Sequence, residues 1–223
     1  MIKHIPKNKI YFFRRELLIW YDSNARKFPW RHAGKSCYEI IIAEILLQRT
    51  KAETVKKHYE AFIKKYANWD AINKASLSDI ESILKPFGLW KQRSKRLKEL
   101  ARTMVTNNGK LPENPKDIEA FPLFGQYIVN AILTQCYQQK KPFLDASMAR
   151  LLDRFFGERK LVDIRYDPYL QELAHRIVKK RKVQDALFLN WAILDFASLV
   201  CLKQSPKCDI CPLKNRCLYK IEK

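Results

Sequence analysis

Four of the six cysteines, Cys201, Cys208, Cys211 and Cys217, crowd the end of this 223-residue chain in the pattern C-x6-C-x2-C-x5-C. Four thiolates within so short a loop can converge on one metal centre. Zinc held by four thiolates is one solution, but such sites more often use two separated C-x2-C pairs, and only Cys208 and Cys211 are so spaced. An iron-sulfur cluster also takes four cysteines, although this is not a ferredoxin spacing. Spacing leaves both open. Cys37 and Cys136 lie outside the pattern and read as core thiols, since a reducing compartment argues against a disulfide framework.

Two carboxylates stand out beside the thiols. Asp145, in the stretch LDASM, suits the N-cap of a helix, where free amides would satisfy the carboxylate and keep it ionised. Glu44 stands among Ile41, Ile42, Ile45, Leu46 and Leu47, and a charge there is costly unless it lines a pocket.

The elements that must position these groups are helices. Ile118 and Phe121 end an apolar approach, Pro122 to Gly125 form a tight turn, and Ile128, Val129, Ile132, Leu133 and Cys136 recur with helical spacing. This is a helix-hairpin-helix pattern, read equally well as an ordinary αα-hairpin. The second helix would turn its first amides, from Gln126 onward, toward an anion such as a DNA phosphate. Further upstream, Ile10, Phe13, Leu17, Trp20 and Tyr21 share a helical face, and Tyr38 to Leu47 is apolar nearly all round, as a buried helix is. Ser78 with Glu81 predicts a capping box for a helix that stops at Pro86, and Asn114-Pro115 with Asp117 predicts another start. In LWKQRSKRLKELARTMV, Leu97, Leu100, Ala101 and Met104 face a core. Lys91, Arg93, Lys95, Arg96 and Lys98 are expected to face water as a solvated face or a phosphate rail. Met148 to Phe156, Leu170 to Val178 and Ala186 to Val200 continue the pattern, and no segment alternates as a strand would. The class is all-α.

Composition narrows the partner. A net charge of +20 and a pI near 9.8 suit a polyanion, nucleic acid before a membrane surface. No run of eighteen apolar residues occurs and the start lacks a secretory cleavage site, so a cytosolic or nucleoid-associated protein is expected.

The cysteine spacing, placed after the hairpin and Asp145, resembles the endonuclease III and adenine glycosylase superfamily, and the similarity runs from the FPWR of Phe28–Arg31 to Cys217. The resemblance implies two helical domains, a barrel over 29–138 and an iron-sulfur domain joining 1–28 to 139–223, with a DNA cleft between them. It implies a 4Fe-4S cluster on the four cysteines and a surrounding loop whose Lys203, Lys207, Lys214 and Arg216 help hold the DNA backbone. Asp145 matches the catalytic aspartate, which stabilises positive charge on the sugar or orients the attacking water.

The bifunctional members carry an imine-forming lysine two residues after the hairpin's last glycine, and here that position is Tyr127. A phenol cannot form the imine, so hydrolysis without strand cleavage is expected. Tyrosine at that place, together with GLWKQR and IIAEILLQRT, is similar to the G·T mismatch thymine glycosylase branch. Glu44 then contacts the flipped base, Gln48 and Arg49 enter the gap it leaves, and Lys91 stands where the adenine branch has a tyrosine wedge. Phe124, Gly125 and Gln126 of the turn are expected at the phosphates. Leu123 replaces the hairpin's usual first glycine, a departure that bears on how closely the turn nears DNA. The expected substrate is thymine or uracil opposite guanine in double-stranded DNA, handled by a monomer. Adenine opposite guanine or 8-oxoguanine is the second reading, disfavoured because the chain ends six residues past Cys217. A non-catalytic iron-sulfur DNA-binding protein is the third.

Overall fold

The computed structural model describes residues 5–112, 114–179 and 182–221. Among them the chain is helical with no strand, and no helix is long and apolar enough to cross a membrane. It divides into two compact units, one made of residues 1–26 and 137–223 and the other of residues 27–136.

Helix α1 (Lys7–Asn24) opens the first unit and buries Ile10, Phe13 and Leu17. The second unit begins after it. Its α2 (Cys37–Leu47) starts at a capping box, in which the Ser36 hydroxyl accepts from the Glu39 amide and the Glu39 carboxylate accepts from the Ser36 amide. Every residue from Ile40 to Leu46 is buried, so α2 is the axis about which this unit packs. Around it run α3 (Ala52–Lys65), α4 (Trp69–Lys74), α5 (Leu77–Leu84), α6 (Trp90–Thr106), α7 (Pro115–Glu119) and α8 (Gln126–Gln135). The start of α7 is the expected one, with the Asn114 side chain accepting from the Lys116 amide and Pro115 in the first turn. The cap of α5 is not. Ser76, two residues before the expected Ser78, accepts from the Asp79 amide, and both residues offer the same short hydroxyl, so the backbone decided between them.

The phosphate rail on α6 also needs correction. Lys91, Lys95 and Arg96 are exposed, but Arg93 is buried and Lys98 turns back to donate to the carbonyls of Ile72, Asn73 and Ala75 at the end of α4. A cation there satisfies the carbonyls that a helix end leaves over.

The first unit resumes with α9 (Ala146–Phe156), α10 (Pro168–Val178), α11 (Val183–Leu199) and the short α12 (Leu218–Ile221). Phe13 of α1 packs on Phe155 and Phe156 of α9, and Trp20 meets Phe196 of α11 edge-on. Asp195, fully buried on α11, takes both the amide of Arg26 (2.9 Å) and its guanidinium (2.7 Å), tying down the end of the N-terminal segment.

Cys37 and Cys136 are not core thiols. Cys37 is exposed in the first turn of α2, Cys136 caps α8, and the two form a disulfide with Cα atoms 5.6 Å apart. The bond closes a sequence separation of 99 residues, nearly the whole second unit. In the chain-entropy account a loop of that size is worth about 4–5 kcal/mol. Denaturant unfolding is therefore expected at a clearly higher midpoint without reductant than with it, and Cys37→Ser should erase the difference. Equal midpoints for the unaltered protein in both buffers would show that the bond contributes nothing.

Candidate functional site

The segment that delivers Asp145 is fixed before the aspartate is reached. Phe143 and Leu144 are buried, the Phe143 amide donates to Asn190 Oδ1 (2.8 Å), and Asn190 Nδ2 donates to the carbonyls of Lys141 and Ala186 (3.0 Å each). Asn190 is fully buried on α11 and satisfied. Its signal in the sequence is an amide within the apolar run Ala186–Ile193, which is easily read as a break in pattern.

Asp145 then caps α9, as expected, with Oδ1 accepting from the amides of Ser147 (2.9 Å) and Met148 (2.7 Å). Two effects compete at this carboxyl. Burial favours the neutral form, while the two amides and the charge of Arg150 favour the ionised form; burial is the larger, and the pKa lies above the usual aspartate value. The helix start thus moderates a desolvated carboxylate rather than simply holding it ionised.

The far side of the same helix holds the cysteine loop. Arg150 donates to the carbonyls of Ala197 (2.9 Å) and Cys201 (3.1 Å) at the end of α11. Arg154 donates to the carbonyls of Leu202 (2.6 Å) and Lys203 (3.0 Å) and to Cys201 Sγ (3.4 Å), while the Cys217 thiol donates to the Arg154 carbonyl (3.3 Å). Sequence reasoning missed both arginines; their signal is a pair four residues apart on a helix whose other face is apolar. Cys201, Cys208, Cys211 and Cys217 line one cavity of about 340 Å³, counted out to its open mouth. Burial, and to a lesser degree the neighbouring sulfurs, push the Cys211 thiol up to about 11, and burial raises that of Cys217 as well. Lys203, Lys207, Lys214 and Arg216 are all exposed around the loop.

The second unit carries the other candidates. In the hairpin, the Phe124 amide donates to the Phe121 carbonyl (3.1 Å), and Leu123 takes the left-handed conformation, φ 71°, that glycine adopts without strain. A leucine there costs about 1–2 kcal/mol. Its carbonyl accepts from Gln48 Nε2 (2.7 Å), which braces the turn. Phe124 follows in the same turn. Its ring is buried against Phe121, which leaves only backbone at that position for DNA. Gly125 is exposed at the N-cap of α8, and a Cβ built on it would meet nothing within 4 Å. Gln126 and Tyr127 form the first turn of α8, with Tyr127 half-buried against the core. Glu44 is 5% exposed on α2, with Gln135 Nε2 at 3.5 Å from Oε1. Arg49, at φ 53°, and Lys91 are exposed.

Residues 42–188 match the HhH-GPD superfamily of base excision DNA repair proteins. The chain belongs to that superfamily. Among HhH-GPD proteins it is 35% identical to a thymine/uracil-DNA glycosylase of Methanothermobacter thermautotrophicus, covering 93% of this chain and 92% of that one. It is 32% identical to a thymine-DNA glycosylase of Aeropyrum pernix over 96% of this chain and 97% of that one. An adenine DNA glycosylase of Buchnera aphidicola is 28% identical, with 61% of its length matched. The structure superposes on that of a thermostable thymine-DNA glycosylase with a TM-score of 0.88 at 34% identity, covering 97% and 98% of the two chains. An endonuclease III held in a covalent intermediate with DNA shares the HhH-GPD fold at a TM-score of 0.81 and 18% identity.

The competition at Asp145 has a thermodynamic consequence. The native state holds this proton to higher pH than the unfolded chain does, so stability falls as pH rises through the native pKa. Asn is as good a cap as Asp and carries no charge to desolvate. Asp145→Asn is expected to raise the thermal midpoint at neutral pH, with the gain shrinking as pH falls through the raised pKa. A lower midpoint at neutral pH would show that the charge itself stabilises α9.

Proposed function

We propose that this chain is a monofunctional DNA glycosylase that hydrolyses the N-glycosidic bond of thymine or uracil mispaired with guanine in duplex DNA, acting as a monomer. The observation that carries the reading is Asp145, a carboxylate held at a helix start by two amides and raised in pKa by burial. Departure of a base builds positive charge on the sugar. A preoriented carboxylate in a water-poor setting stabilises that charge, and its raised pKa lets it take a proton from the attacking water. Full-length similarity to two thymine glycosylases supports the choice of base.

Tyr127 is assigned to the position of the imine-forming lysine. The whole of α8, QYIVNAILTQ, contains no primary amine, so water is the nucleophile and the abasic strand is left intact. Glu44 is assigned to the edge of the flipped base, a role for which a buried carboxylate on an apolar helix is suited. The exposed face of α6 and the open space outside Gly125 suit phosphates.

The four cysteines are assigned to a 4Fe-4S cluster. Four thiols line a single cavity, a donor set that such a cluster takes, and Arg154 beside Cys201 would offset its negative charge. The cluster's part is structural: it ties the loop that carries Lys203, Lys207, Lys214 and Arg216.

Purified protein is expected to be brown with about four irons per chain. Colourless protein with one zinc would overturn the cluster assignment. On a panel of duplexes bearing T, U, A or hypoxanthine opposite each base, T·G and U·G should be cut only after alkali, because a wobble pair yields its base more easily than T·A. Asp145→Asn should lose base release by several orders of magnitude, roughly 10³-fold or more, while still binding the mismatch. Release of adenine with no action on T·G would instead favour the adenine reading and make Glu44 the general acid. Tight binding with no release of any base would favour a non-catalytic DNA-binding protein.

A further inference from the structure

Arg93 is the one guanidinium of α6 that turns inward, 4% exposed, and among the described residues it makes no ion pair. A buried cation without a carboxylate is expensive and is kept only where its hydrogen bonds are needed. Those bonds reach two separate loops. Nη2 donates to the Gln48 carbonyl (2.5 Å) and lies 3.3 Å from Thr50 Oγ1, both in the loop that leaves α2. Nη1 donates to the Phe87 carbonyl (3.3 Å), in the loop that enters α6, and lies 3.4 Å from Thr50 Oγ1. The Thr50 hydroxyl closes the bridge by donating to the same Phe87 carbonyl (2.8 Å). Gln48 then continues the chain of bonds to Leu123 in the hairpin turn.

What these loops have in common is strain and exposure. Arg49 (φ 53°), Leu89 (φ 50°) and Leu123 (φ 71°) are all non-glycine residues in the left-handed region, each costing about 1–2 kcal/mol. Such conformations persist only where the surroundings over-determine them. Arg49 and Leu89 project outward, with Leu89 53% exposed, an unusual state for a leucine beside so polar a surface.

We propose that Arg93 is a positioning residue that fastens the loop 48–50 to the loop 87–89, so that Arg49, Leu89 and the Leu123 turn meet a duplex as one fixed edge. The functional half of this proposal rests on the glycosylase reading above. Extruding a base costs a few kcal/mol, and probes that are already in place spend none of their contact energy on being ordered. The buried guanidinium itself touches no phosphate, so its contribution is to discrimination between a mispair and a sound pair and not to general DNA affinity.

The test uses Arg93→Lys, which keeps the charge but loses the planar fork that spans two carbonyls, and Thr50→Val, which removes the bridging hydroxyl with little change of volume. Thr50→Ser restores the hydroxyl and serves as the conservative variant. In the free protein, hydrogen exchange at residues 48–50 and 87–89 should speed up in Arg93→Lys and Thr50→Val, with α2 and α6 unchanged and Thr50→Ser like the unaltered protein. With DNA, affinity for a fully paired duplex should hold within about twofold. Preference for T·G over T·A, and the fluorescence rise of 2-aminopurine placed next to the mispair, should fall by about tenfold, the equivalent of one lost strong contact. Unchanged exchange in both variants would overturn the clamp. Faster exchange with mispair preference intact, or an equal loss of affinity for paired and mispaired DNA, would overturn the positioning role. Should the unaltered protein prefer no mispair at all, the glycosylase reading and the positioning role fall together, while the exchange result still decides whether the loops are fastened by Arg93.

Discussion

The first unit depends on how Asp145 begins α9. One carboxylate oxygen takes two amides that the helix could not otherwise satisfy, and the approach to it is pinned by Asn190 from α11. Once α9 starts there, its register follows. Met148, Leu151, Leu152, Phe155 and Phe156 face the core, and Arg150 and Arg154 are left facing the end of α11 and the cysteine loop. The same helix therefore sets both the candidate catalytic carboxylate and the first thiol of the cysteine loop. A shift of one residue at the cap would rotate α9 by about 100° and misplace both.

The second unit solves a different problem. Its central helix is buried from Ile40 to Leu46, so a polar group there is enclosed, as Glu44 is, while Gln48 and Arg49 stand just past its end. A helix end inside a packed unit leaves carbonyls to be satisfied. Arg93 and Thr50 meet that need at Gln48 and Phe87, and Lys98 does the same for α4. Cations that composition alone would assign to DNA are in this way divided between the surface and the frame.

That division marks the limit of what the sequence reveals. Helix class, the caps at Asn114 and Asp145, and the buried run of α2 follow from local rules, because each is set by residues within four positions of one another. The burial of Arg93 and Lys98 does not. Helical periodicity assigns long cations to water, whereas Arg93 is drawn inward by the Gln48 carbonyl 45 residues away and Lys98 by the Ala75 carbonyl 23 residues away. The Cys37–Cys136 bond joins residues 99 apart, a pairing that no local spacing encodes. At Leu123 the residue type pointed away from a left-handed turn, yet the backbone adopts one, since the Gln48 amide holds the carbonyl from 75 residues upstream. Asn190 escapes local rules for a related reason: its amide has meaning only once the loop it holds is in view.

Asp145, Glu44 and Arg93 are ionisable groups that folding takes largely out of water. Stability alone would not retain them. An asparagine caps as well as Asp145 does, and an apolar side chain would pack better than Glu44 among isoleucines. The cost is accepted in one helix start, one central helix and one loop clamp, and these are the places where the chain departs from what its packing requires. A fold that kept the packing and relaxed these three positions would be more stable and would still present the basic surface. It would lack the two carboxylates to which the proposed hydrolysis assigns roles and the clamp proposed to hold the loops that meet DNA.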